Sequence, residues 1–171
     1  FFKRLESWAA EMGVTKIGNI IAIFKIVSRP ALTVFSVFAV TLALFPTLTV
    51  FFTSSSHCEE GASRFSNDLF IPFFFVIFNL GDFSGRLIAG KKTILTYDNI
   101  HYAGLLRLVF VPLMFFCNTG ANSKMPILFH NDLFPIVFML LFAMSNGYVS
   151  SSCMMMGPSM VDPSDAPMAG N

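Results

Sequence analysis

Apolar residues gather in four long blocks, near 31–53, 69–90, 103–119 and 133–157, with short polar stretches between them. A helix needs about 20 mostly apolar residues to cross a bilayer. The pattern therefore predicts four transmembrane helices in a 30–157 region. A cytoplasmic loop or amphipathic segment precedes it at 1–29, where Trp8 fits an interfacial anchor. At 158–171, a cytoplasmic connection leads into Asp162-Pro163-Ser164-Asp165, which reads as an N-cap, a first-position proline and an acidic first turn. That announces a further helix cut short at Asn171, so the expectation is a piece of a longer protein. Pro30 is expected to open the first span and Pro46 to kink it. Thr33, Thr41, Thr47 and Thr49 are placed to bond back to the helix.

The second block breaks its own pattern. Asn79, Asp82 and Arg86 lie inside it, and at about 100° per residue they fall within roughly 60° of one another. A charge in lipid costs about 2.5 kcal/mol or more, so such residues face a bundle interior or a wet cavity. Two readings stand at this point: a substrate or ion site, or an i,i+4 pair that neutralises itself and pins the helix to a neighbour. Gly81 and Gly85 form a G-x-x-x-G on an adjacent face, which lets a second backbone approach closely. In the third block, Arg107 either snorkels to the interface or pairs with another helix. The fourth block ends in Ser145-Asn146-Gly147-Tyr148 and Ser150-Ser151-Ser152, suited to tight helix contacts or a cavity wall.

Composition agrees with a membrane class. Hydrophobic residues make up 54%, charged residues 12%, and there are 22 phenylalanines in 171 residues, with a mean hydropathy of +0.68. A net charge of +1 gives no basic stripe for nucleic acid. Cys58, Cys117 and Cys153 contain no C-x-x-C and give neither a metal site nor an even disulfide set; Cys117 and Cys153, in or near apolar runs, read as buried thiols. His57-Cys58-Glu59-Glu60 reads as a solvated loop, because four adjacent residues do not readily converge on one metal. Gly85-x-x-x-x-Gly90-Lys91-Lys92-Thr93 misses the phosphate-loop pattern, having lysine where Ser or Thr is needed and a membrane helix in front. No paired carboxylates, G-x-S-x-G or metal-spaced histidines appear, so neither an enzyme nor a resident cofactor is expected. Five Lys and Arg residues precede the first span and Lys91-Lys92 follow the second, against single residues, Arg64 and Lys124, in the other two loops. The positive-inside rule puts both ends and the Lys91 loop in the cytoplasm.

Phe78-Asn79-x-x-Asp82-x-x-x-Arg86 resembles the equilibrative nucleoside transporter family. Similar blocks follow in order: Arg107-Leu108-Val109-Phe110-Val111-Pro112 with Cys117-Asn118, Phe142-Ala143-x-Ser145-Asn146-Gly147-Tyr148, Gly157-Pro158 and Ala169-Gly170. The resemblance covers about residues 30–171. It implies an all-α polytopic membrane helix bundle, part of a major-facilitator-like C-terminal half, with the four spans as helices seven to ten of eleven. It further implies facilitative transport of a nucleoside or nucleobase by alternating access in the plasma membrane, with substrate, lipid bilayer and the missing helices of the same polypeptide as partners. The family's substrate contacts fall on Asp82 and Arg86, with Asn79 and Phe75 as cavity-lining neighbours. The chain departs from the family pattern in lacking lysines after the fourth span and in having Phe83 where a bulkier aromatic is common. Substrate preference stays open on both counts. The alternative is a receptor-like or scaffold membrane protein in which Asp82 and Arg86 are a structural lock.

Overall fold

A computed structural model describes residues 24–25, 27–57, 63–117 and 127–160. The amphipathic reading of the first 23 residues, Cys58-Glu59-Glu60 and the helix start at 162–165 lie outside the described residues. What is described is all-α apart from one isolated bridge between Cys117 and Phe129. Helix α1 covers residues 27–44 and continues through a turn into the 3-10 segment Thr49–Phe51. Next come α2 (Phe70–Lys91), α3 (Ile100–Leu106), α4 (Phe110–Phe115) and α5 (Leu133–Ser159). Three helical stretches, Val27–Phe51, Phe65–Lys91 and Leu133–Ser159, are long and apolar enough to cross a membrane. At 25 to 27 residues each, they exceed the roughly 20 that a hydrocarbon core of about 30 Å requires. The chain is an integral, multi-pass membrane protein.

The prolines move the predicted boundaries. The helix has already formed at Val27, so Pro30 lies inside α1 instead of opening it. Pro46 does end the regular helix, at Leu44. Having no N–H, it leaves the Leu42 carbonyl without its usual donor, and the Thr47 hydroxyl donates to that carbonyl at 2.9 Å. Thr33, Thr41 and Thr49 likewise donate to the carbonyls of Arg29, Val37 and Leu44. Upstream of Pro72 the second span begins with a π turn, Phe65–Leu69. Pro72 cannot bond the Asp68 carbonyl, and the turn before it widens.

The third apolar segment begins earlier than the pattern predicts, and the end of the predicted span, 118–119, lies outside the described residues. It runs over Ile100–Phe115, with the 3-10 turn Arg107–Val109 joining α3 to α4. Pro112 withdraws the i+4 donor of the Leu108 carbonyl, which accounts for a tightened turn there. At about 1.5 Å per residue this segment falls short of a 30 Å core.

Helices α2 and α5 make the main contact, and α2 divides into three faces. Val76, Leu80, Phe83 and Leu87 are exposed and form one apolar stripe suited to lipid. Gly81, Gly85 and Ala89 are buried about 170° away, facing α5. A Cβ added at Gly81 would lie 2.7 Å from that of Ala143, and one at Gly85 would strike the Met144 carbonyl and lie 2.8 Å from the Tyr148 nitrogen. The G-x-x-x-G thus admits α5, and Gly147 returns the favour by meeting the Asp82 carbonyl. The third face of α2 carries Phe75, Asn79, Asp82 and Arg86.

Polar ties fasten the bundle ends. The Ser54 hydroxyl and Ser55 N–H donate to the two oxygens of Asp132, at 2.6 and 2.8 Å, just before α5. At the other end, the Ile94 N–H donates to the Tyr148 hydroxyl at 2.9 Å. Asp132→Ala removes two acceptors and should cost about 1–3 kcal/mol of stability. A thermal-shift measurement on detergent-solubilised protein checks this, with Asp132→Asn expected between variant and wild type.

Candidate functional site

Asp82 stands where α2 crosses α5, and its two oxygens have different partners. Oδ2 accepts from Arg86 Nε at 2.8 Å, one helical turn along. Oδ1 accepts from Asn146 Nδ2 on α5 at 2.7 Å. The Asp82 side chain is 17% exposed and that of Arg86 47%. Carboxylate oxygens offer about four lone-pair sites in all, so two occupied sites leave about two for a ligand. Arg86 spends only Nε here; its terminal nitrogens make no hydrogen bond to the described residues.

Behind Asn146 the polar chain continues inward. Asn146 Oδ1 lies 2.7 Å from the Thr41 hydroxyl of α1 and 3.3 Å from Arg107 Nη2. Arg107 Nη2 also donates to Thr41 Oγ1 at 2.9 Å, while Nη1 donates to the Phe142 carbonyl at 3.1 Å and Ser145 Oγ at 2.5 Å. The guanidinium carbon sits 4.4 Å from the centroid of the Phe142 ring, close enough for a cation–π contact. Arg107 is 1% exposed and Asn146 3%. Of the two readings of Arg107, pairing with neighbouring helices is the one observed.

The other two predicted residues sit on the same face without joining the pair. Asn79 is exposed, and its amide donates to the Phe75 carbonyl of its own helix at 2.7 Å. Phe75 is half-buried, its ring 4.9 Å from that of Phe45, which in turn stacks on Phe78 at 3.9 Å. An apolar cavity of ≈ 450 Å³ lies farther toward the Lys91 end, lined by Gly85, Ile88, Ile94, Leu95, Met144, Ser145 and Tyr148. None of the four predicted residues lines it. Among the described residues no group of three or more His, Cys, Asp or Glu could hold a metal ion.

The nucleoside transporter family pattern matches residues 4–171. The chain belongs to that family. It is 39% identical over 156 residues to equilibrative nucleoside transporter 1 of Rattus norvegicus, a match covering 90% of this chain and 34% of the relative. With equilibrative nucleoside transporter 2 of Homo sapiens it shares 36% over 154 residues, 89% of this chain and 33% of that protein. Equilibrative nucleoside transporter 4 of Homo sapiens is 30% identical over 148 residues, 86% of this chain and 26% of that protein. The chain thus spans about a third of the length of the first two relatives. Family membership accords with a transport protein and not an enzyme.

Two partners of the site were not assigned from sequence, Thr41 and Asn146. Asn146 carried a usable signal: a side-chain amide in the interior of an apolar span follows the same cost rule as Asp82. Thr41 carried none, because a threonine that bonds its own helix looks the same whether or not it has a second partner.

Proposed function

We propose that this chain is part of a facilitative nucleoside or nucleobase transporter, and that Asp82 and Arg86 contact the substrate. The observation that carries this is the asymmetry of the pair. Asp82 is held from behind by Asn146, whereas Arg86 is half-exposed and its terminal nitrogens bond to none of the described residues. Ribose hydroxyls can donate to the remaining lone pairs of Asp82, and sugar or base acceptors can take the Arg86 N–H groups. Phe75 offers an aromatic face for a planar base, and Asn79 a second amide on the same side. In this reading the described helices correspond to helices seven to ten of eleven in a major-facilitator-like fold. The polar face of α2 then lines a central cavity completed by the other helices. Transport proceeds by alternating access in the plasma membrane.

The test is uptake of labelled adenosine by the full-length protein in cells lacking their own carriers, beside Arg86→Gln at equal surface abundance. Saturable uptake that falls at least about tenfold in the variant is expected, from the loss of one charged donor worth about 1.5–3 kcal/mol. Equal uptake by both would remove Arg86 from the substrate site.

A further inference from the structure

Arg107 poses a problem that the transporter reading leaves unanswered. It is a cation almost wholly removed from solvent, on the 3-10 turn between α3 and α4. Among the described residues no carboxylate pairs with it directly; the ion pairs are Arg29–Asp98 and Arg86–Asp82. Its contacts are neutral: a carbonyl, two hydroxyls, an amide oxygen and an aromatic face. A buried charge is expensive unless it is compensated. The counter-charge it reaches is Asp82, one residue removed, through the Asn146 amide.

That amide has a single orientation that suits both neighbours. With Oδ1 toward Arg107 and Nδ2 toward Asp82, both contacts with the charged groups join a donor to an acceptor, while the single Thr41 hydroxyl proton is shared between Asn146 Oδ1 and the Val37 carbonyl. A flip would set an NH2 against the guanidinium and an oxygen against the carboxylate, repulsive at both ends. Arg107 therefore dictates which way Asn146 points. Asn146 dictates where Asp82 Oδ1 lies, and Asp82 Oδ2 holds Nε of Arg86. The relay draws on the third apolar segment, α1, α5 and α2 in turn.

We propose that Arg107 is a positioning residue for the substrate site. Resting on the transporter reading, it acts through Asn146 to hold Asp82 and Arg86 in register and touches no substrate itself. A purely structural tie between helices would behave differently. Its loss would reduce the number of carriers reaching the membrane and leave the KM of those that arrive unchanged. A positioning role moves KM, because the substrate contacts themselves are displaced.

Asn146→Asp separates the two. It offers Arg107 a direct counter-ion, which favours folding, while it withdraws the Nδ2 donor and sets a second carboxylate against Asp82. Arg107→Lys keeps the charge but not the fork that spans Ser145 and Phe142 on one side and Thr41 and Asn146 on the other. The measurement is nucleoside uptake by the full-length protein, expressed per carrier at the cell surface. The KM is expected to rise about tenfold in Asn146→Asp and about threefold in Arg107→Lys, the loss of one to two hydrogen bonds at the site. Thr41→Val takes the place of either variant that does not reach the membrane, with about a threefold rise expected from one lost hydroxyl. Saturable wild-type uptake with unchanged KM in the variants would overturn the relay and leave the transporter reading intact. Absence of saturable wild-type uptake would overturn both.

Discussion

Gly147→Ala should all but remove the protein from the membrane. The added methyl would overlap the Asp82 carbonyl and lie near the Arg86 nitrogen at 3.0 Å, so its neighbours are backbone atoms that have no rotamer to escape into. Overpacking against side chains costs about 1–3 kcal/mol; here two helix axes must separate, and the cost is expected at about 3 kcal/mol or more. The same separation would pull Asn146 from Asp82, so residual protein should also transport poorly. Surface abundance below about a tenth of wild type is the expected reading, from roughly 1.4 kcal/mol per factor of ten. Gly90→Ala is the control, since a Cβ there meets nothing within 4 Å, and alanine is the better helix former by about 1 kcal/mol. Normal abundance of Gly147→Ala would contradict the packing of α2 on α5.

Asp82→Ala should abolish uptake while leaving the protein able to reach the membrane. Removal of the carboxylate frees both Asn146 Nδ2 and Arg86 Nε. Arg86, already half-exposed, then loses the group that orients it. Two charge-assisted hydrogen bonds at about 1.5–3 kcal/mol each correspond to a loss of about a hundredfold or more. A charge swap, Asp82→Arg with Arg86→Asp, tests the alternative that the pair is only a lock. A lock would recover with the swap. The relay forbids recovery, because a guanidinium at position 82 would meet the Asn146 NH2, and Asn146 cannot turn without facing Arg107 with the same group. Recovered uptake in the swap would make the pair a structural lock and remove both residues from the substrate site.

The apolar blocks made the helical, membrane-spanning class legible, since a long run without charges has few other outcomes in water or lipid. The Gly81–Gly85 contact and the thriftless charge of Asp82 were legible for the same reason: each is costly or pointless unless something specific meets it. Boundaries were harder. Pro30 and Pro158 lie inside helices, Pro72 follows a widened turn and Pro112 a tightened one, whereas Pro46 stops a regular helix. Whether a proline breaks, widens or tightens a turn depends on which neighbour replaces the lost bond, as Thr47 does for Leu42. The partner of Asp82 was out of reach, because Asn146 lies 64 positions away and spacing within one helix says nothing about contacts between two.

The glycine contacts between α2 and α5 have a mechanical consequence. With backbone pressed against backbone at Gly85 and Gly147, and Gly81 against the Ala143 methyl, the two helices have little side-chain layer to slide on and are expected to travel as one lever. Asp82 and Asn146 sit on that lever together, so their separation is expected to hold through the proposed transport cycle. On the proposed transporter reading, the other helices rock against this pair, and the polar group that would face substrate stays assembled throughout.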